Sequence, residues 1–355
     1  MERKKGWKGF DDMEHYDDLE DQEDRTHIRG ANNAYLGMLR KLRTEPSVGD
    51  RDGLTRNHVA KVRCPKCGSE EVCKAGMMRK KGQEPVQMYR CGSCGRRFTA
   101  SSVGGIAASK LPTTMIVQFI KSMTMDSTYA TERNFLGISE KTAIYWRFLL
   151  LKVAEEQMSG VTLSDTVYID EMYFGRNGDC MVPLDLDEQR EKLRKRGLSK
   201  DLVCVYVGID SKGRCLAHVA DKGGKPDSAG ILGYWSPRIS EGSVLVHDCE
   251  KSHTALVKAN SLESRAYNES KDPETAHEEM RPVNLLCAYL RGKCNKHRGI
   301  RTKNLQAYLT AFLYLKMMRA RYHSKAYRVV AHEMVGMQKK VRFRDVFPRK
   351  SRKSQ

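Results

Sequence analysis

Two groups of residues in this 355-residue chain are of types and spacings that could do metal chemistry. The first carries oxygen. Asp170 lies inside a β-rich apolar run, Thr-Val-Tyr-Ile-Asp-Glu-Met-Tyr-Phe-Gly at 166–175. A carboxylate in a strand that should be buried is costly unless a cation meets it, and a metal ion is one such cation. Asp248 closes a second short apolar run, Ser-Val-Leu-Val-His-Asp at 243–248, which places it at a strand end. Two carboxylates then converge from two strands. Asn284 follows Asp248 by 36 positions and opens a helical pattern, and Arg291, seven residues on, lies two turns down the same face. Two carboxylates and an amide oxygen are hard ligands, suited to Mg2+ or Mn2+ and not to zinc.

The second group carries sulfur. Cys64-Pro-Lys-Cys67-Gly and Cys91-Gly-Ser-Cys94-Gly are two Cys-x-x-Cys turns with 23 residues between them. Tetrahedral Zn2+ takes four soft ligands, and two tight turns each presenting two thiolates supply them. Gly68 and Gly95 give the backbone freedom such turns need, and Tyr89 and Phe98 can form a small core beside the metal. Between residues 61 and 97 stand 10 Lys/Arg against 3 acids, so the module suits DNA contact, with a protein–protein role as the alternative.

The elements that must position these residues follow from periodicity and turn chemistry. Residues 111–156 read as helical, with Pro112 in a first turn and Ile116, Phe119, Ile120 and Met123 at helical spacing. Inside this segment, Phe135-Leu-Gly-Ile-Ser139 resembles the turn of a helix-turn-helix. Gly137 takes the left-handed backbone, Ser139 caps the next helix, and Lys141, Thr142, Tyr145 and Arg147 would meet DNA from it. A plain pair of packed helices is the other reading. Strands are expected at 166–174, 202–210, 214–220 and 243–248 and helices around 253–260 and 280–297, which suits a mixed sheet. The charged stretch 185–200 is a helix or solvated surface. Asp210 belongs to a hairpin turn, Asp210-Ser-Lys-Gly213, and Glu171 points to the strand face opposite Asp170, away from a shared metal. Glu278 and Glu279 precede Pro282 and fall outside the helix carrying Asn284. In 302–320, Leu305, Tyr308, Leu309, Phe312 and Leu315 form a core stripe.

Length suits two or three domains. The net charge of +19 and pI near 9.4 call for a polyanionic partner, and the charge is unevenly spread. Residues 1–30 carry 6 Lys/Arg against 10 acids, whereas 291–355 carry 19 against 2. The run 339–353, with eight Lys/Arg and one acid, is either a solvated tail or a phosphate-backbone arm. No apolar run approaches the ~18 residues that span a bilayer, and the first 30 residues have no signal-peptide core. A cytoplasmic protein is expected, with its 11 cysteines as metal ligands and buried thiols instead of disulfides.

Ile-Asp-Glu-Met-Tyr-Phe-Gly at 169–175, Arg-Lys-Arg-Gly-Leu-Ser-Lys-Asp-Leu-Val-Cys-Val at 194–205, Arg-Gly-Ile-Arg-Thr-Lys-Asn-Leu-Gln-Ala-Tyr-Leu at 298–309 and the Asp170, Asp248, Asn284, Arg291 spacing resemble the DDE-type insertion-sequence transposases with a zinc ribbon, the ISXO-like group. The resemblance covers roughly residues 59–325. It implies an α/β multidomain chain: a tail with an acidic stretch and a short helix (1–58), a zinc ribbon (59–105), a helical, helix-turn-helix-like segment (106–160), a ribonuclease-H-like mixed-sheet catalytic domain (161–325) and a basic tail (326–355). It further implies cleavage and joining of double-stranded DNA at element ends and target, by a homodimer or higher oligomer. Two Mg2+ or Mn2+ ions would be bridged by Asp170, with Asp248 and Asn284 completing their spheres and Arg291 on phosphate. Asn284 departs from the commoner Glu, though some of the group use Asn, and Cys287 stands where members with Asn often carry His. A DNA-binding descendant that no longer cuts is the alternative.

Overall fold

A computed structural model of the chain describes residues 64–79, 86–99, 111, 113–184, 186–194, 201–221, 223–268, 270–337, 341 and 343–347. The expectations for 1–58 and for most of the basic run 339–353 lie outside the described residues. Those described fall into two compact units, one of 154–317 and one of 64–153 with 318–347.

In the second of these, β1 (Val72–Met78), β2 (Val86–Cys91) and β3 (Arg97–Thr99) form an antiparallel sheet in that order. Tyr89 lies opposite Phe98, their rings stack at 5.9 Å, and with Cys64 and Cys91 they make the small core that the sequence predicts. Three helices follow: α1 (Thr113–Thr124), α2 (Tyr129–Leu136) and α3 (Glu140–Met158). The apolar stripe of α1, Ile116, Phe119, Ile120 and Met123, is buried. Gly137 ends α2 in the left-handed conformation at φ 63°, and the Ser139 hydroxyl accepts the Thr142 N–H at 3.2 Å to start α3.

The unit 154–317 is built on one mixed sheet. Its strands are β4 (Thr166–Asn177), β5 (Cys180–Pro183), β6 (Val203–Asp210), β7 (Cys215–Val219), β8 (Val244–Asp248) and β9 (Glu263–Tyr267). The order is β7-β6-β4-β8-β9, with β5 hairpinned onto the end of β4. On one side of β4 the pairings are antiparallel, and on the other β4, β8 and β9 run parallel. β6 is buried at every position, as its run Val-Cys-Val-Tyr-Val-Gly-Ile-Asp demands of a strand covered on both faces. Helices α4 (Leu186–Arg194), α5 (Ser228–Trp235), α6 (Lys251–Ala259), α7 (Pro273–Glu279), α8 (Arg281–Lys296) and α9 (Leu305–Tyr322) complete the unit. Gly208 admits α5: a Cβ there would stand 2.5 Å from the Trp235 ring. In the turn after β6, the Asp210 carboxylate accepts the Lys212 and Arg214 N–H groups and the Arg214 guanidinium, so Asp210 is the turn residue expected.

Two further helices, α10 (Ala326–Gly336) and α11 (Phe343–Val346), belong with α1 to α3; α10 packs on α1, where the Lys121 ammonium lies 4.6 Å from the Tyr327 ring. No helix among the described residues is long and apolar enough to cross a membrane.

Candidate active site and zinc centre

The register of β4 with β8 decides where the two acids meet. Thr166, Val167 and Tyr168 pair in parallel with Val244, Leu245 and Val246, so Asp170 and Asp248 each stand two residues beyond the last pair. Residues in parallel register share a face, and β8 ends at Asp248, which leaves its side chain 41 % exposed. The Glu171 N–H donates to Asp170 Oδ1 at 2.8 Å. Burial, with the charges of Glu171 and Asp248, nonetheless pushes the Asp170 carboxyl up to about 7.

Helix α8 covers this face. Cys287 is buried on it, and burial together with the field of Asp170 holds its thiol well above the ordinary range, with Arg291 opposing. Asn284, Cys287 and Arg291 follow at helical spacing, so they share one stripe of α8, of which Cys287 lies in the field of Asp170. Asn284 is half-buried in the first turn, and the Nε of Arg291 is buried with no hydrogen-bond partner. Glu278 and Glu279 end the separate helix α7, outside α8 as expected.

Sequence reasoning missed His253. It sits in the first turn of α6, and its Nδ1 lies 2.7 Å from Asp248 Oδ1 while its Nε2 lies 2.9 Å from Glu171 Oε1. Burial alone would lower its pKa, but the two carboxylates outweigh it and raise the imidazole to about 10. The same bond holds Asp248 below the ordinary carboxylate range against its own partial burial. Strand alternation does put Glu171 on the face opposite Asp170, but that does not remove it from the site, because His253 ties it to Asp248. A signal was present: Glu171 is an acid within a run destined for burial, the same argument that singled out Asp170. His247, Asp248 and His253 also offer ligand atoms within 4.8 Å of one another. His247 is itself engaged, by the Asp248 carbonyl and by the Ser264 hydroxyl at 3.0 Å.

The sulfur site assembles as its spacing predicts. Cys64, Cys67, Cys91 and Cys94 offer sulfurs within 4.8 Å of one another, with Cys64 to Cys94 at 3.5 Å and Cys67 to Cys91 at 3.6 Å. The two turns are repeats: Gly68 N–H donates to the Cys64 carbonyl at 2.9 Å and Gly95 N–H to the Cys91 carbonyl at 3.0 Å, with both glycines at positive φ. A four-thiol group of this kind could bind zinc.

The expected DNA-reading face of α3 is corrected in part. Lys141 is exposed and Thr142 half-buried at the cap, but Tyr145 and Arg147 are only 6 % and 7 % exposed. The Tyr145 hydroxyl donates to the Val341 carbonyl at 2.9 Å, and the Arg147 guanidinium meets Glu132 at 2.6 Å. Neither is placed to touch DNA. Tertiary packing claims the face that the helix-turn-helix pattern assigns to solvent.

No family model and no curated protein matches this chain. What the geometry offers chemically is two carboxylates, Glu171 and Asp248, on one imidazole, with Asp170 beside Asp248 on the neighbouring strand and an amide and a guanidinium on helix α8. Such oxygen-rich excess negative charge is the donor chemistry of a divalent cation.

Proposed function

We propose that the chain is an insertion-sequence transposase, a metal-dependent DNA strand transferase that cleaves the ends of its own element and joins them to target DNA. One observation carries the reading: the register of the parallel strands β4 and β8 brings Asp170 and Asp248 side by side, and helix α8, on which Asn284 and Arg291 lie, sets Cys287 in the field of Asp170. A mixed sheet in which β7, β6 and β4 pair antiparallel and β8 and β9 continue in parallel suits the ribonuclease-H-like domain that the resemblance implies, which supports the same reading. A four-thiol ribbon and the net charge of +19 fit a DNA partner.

The hard oxygen donors fit Mg2+ or Mn2+, held by Asp170, Asp248 and the Asn284 amide oxygen. Ions bound there would activate the attacking hydroxyl and stabilise the leaving oxygen. The chain's own residues do the remainder. Asp170 and Asp248 concentrate negative charge at one strand junction, and the buried Cys287 of α8 lies in the field of Asp170. Arg291, two turns beyond Asn284 on α8, would bring its guanidinium charge to a DNA phosphate. Zinc held by the cysteines would hold the ribbon folded for end binding.

A second reading is favoured by one residue. Asn284 brings no formal charge to the third position, so a descendant that binds DNA without cutting would carry the same fold. The test uses DNA bearing the inverted repeats that flank the gene, incubated with the full-length protein in Mg2+. Nicking at the repeat ends that disappears in Asp170→Ala supports the transposase. End-specific binding without any nicking favours the second reading, and nicking indifferent to the repeats or to Asp170 overturns both.

A further inference from the structure

We infer that His253, anchored by Glu171, is a positioning residue that fixes the Asp248 carboxylate for a divalent cation, an inference that rests on the metal-dependent reading above. Three observations carry it. First, the contacts converge on one oxygen. Asp248 Oδ1 receives His253 Nδ1 at 2.7 Å and the Glu250 N–H at 3.2 Å, and both donors therefore leave Oδ2 for another partner. Second, the chain of groups runs from the interior outwards. His253 is fully buried and Glu171 is 7 % exposed, whereas Asp248 is 41 % exposed, so a rigid base supports an open tip. Third, the ring cannot swivel freely. Glu171 holds Nε2 from the middle of β4, and the His247 ring packs edge-on at 5.4 Å, itself held by Ser264.

These groups come from four separate elements. Glu171 is on β4, His247 and Asp248 on β8, His253 on α6 and Ser264 on β9. A carboxylate accepts hydrogen bonds and does not donate them when ionised, so each nitrogen of the ring serves as donor to one acid. Groups that orient a ligand oxygen matter to the bound cation nearly as much as the ligand does, because the carboxylate no longer has to be ordered when the ion arrives. Glu171 and His253 would then act on the metal without touching it.

The experiment measures Mn2+ binding to the full-length protein without DNA, by the paramagnetic signal of free Mn2+, across wild type, His253→Asn, His253→Gln and Asp248→Ala. The amide nitrogen of Asn can take the place of Nδ1 and hold Asp248. That of Gln takes the place of Nε2 and holds only Glu171. Both keep a polar partner in the buried site, so both should fold, which thermal melting checks. Expected is Mn2+ affinity within about threefold of wild type for His253→Asn and a loss of about tenfold or more for His253→Gln, the usual range for a group that orients a ligand. Equal affinity in the two variants, whether both retained or both weakened, would overturn the inference and leave His253 a packing residue. Wild-type protein that binds no Mn2+, or binding that survives Asp248→Ala, is a different failure: it removes the metal reading itself, and the positioning role with it.

Discussion

Glu132 with Arg147, and Glu171 with His253 and Asp248, are assembled from the same materials in the two units, a carboxylate and a nitrogen cation out of water. They differ in balance. In the helical unit one carboxylate meets one guanidinium at 2.6 Å, the Ser127 hydroxyl donates to the same Glu132 oxygen at 2.6 Å, and both charged side chains are closed off from solvent. At the sheet, two carboxylates, Glu171 and Asp248, share one imidazole, and the outer one opens to solvent. A buried pair of one carboxylate and one guanidinium has no surplus charge to offer a ligand, even though burial outweighs Arg147 and raises the Glu132 carboxyl above its ordinary range. An unbalanced cluster with an open end retains free energy that a cation can realise. Burial and ion pairing are common to both regions; surplus charge is what marks a site.

The comparison breaks most visibly at the sheet. Asp170→Ala and Asp248→Ala should each lower cleavage of repeat-end DNA by about 100-fold or more, the scale of losing one group preorganised for charge stabilisation. End binding in a mobility-shift assay and the melting temperature should stay near wild type. A variant that melts much earlier but still cuts would make this cluster structural, like its helical counterpart.

The ribbon is a second unbalanced cluster, of thiols. Metal analysis of the wild type should find roughly stoichiometric zinc, and Cys64→Ser or Cys91→Ser should abolish it and make this segment protease-sensitive, while the unit carrying the sheet keeps its own unfolding transition. Full zinc retention in either variant would separate the four-thiol geometry from metal binding.

For the balanced pair the expected loss is in stability alone. Arg147→Ala leaves Glu132 buried without its cation and should cost about 3–5 kcal/mol in urea unfolding, whereas Glu132→Leu combined with Arg147→Met should recover most of that. DNA affinity of the double variant should equal wild type. Lys141→Ala, at an exposed position six residues earlier on α3, should leave stability unchanged and weaken binding to all sequences alike. Loss of DNA affinity in the stable double variant would return Arg147 to the DNA-reading face.

The smallest effect is expected at the position without a charge. Asn284→Ala should raise the Mg2+ concentration needed for half-maximal cleavage by about tenfold, and Asn284→Asp should lower it, as an added carboxylate strengthens a hard-ligand site. Glu278→Gln, on the separate helix α7, should leave the titration unchanged. A reversed pattern, with Asn284→Ala silent and Glu278→Gln impaired, moves the third position to α7.

What the sequence determined by itself was whatever depends on a few neighbouring residues. The paired Cys-x-x-Cys turns, the left-handed Gly137 before the Ser139 cap, the Asp210 turn, the run of β6 and the placing of Asp170 and Asp248 on strands all follow from local backbone chemistry and short-period patterning. Helix α5 escaped because its two glycines weaken the helical signal, and β9 because Glu-Ser-Arg-Ala-Tyr is an exposed edge with no apolar alternation. Glu171 was legible as an anomaly but not as a partner, since His253 lies 82 positions away and reaches it only once β4 and β8 pair. Tyr145 and Arg147 show the same limit in reverse. Their types suit DNA, but a carbonyl 196 residues distant and a glutamate on the preceding helix claim them, because which side of α3 faces inward is decided by the elements packed around it and not by α3's own residues.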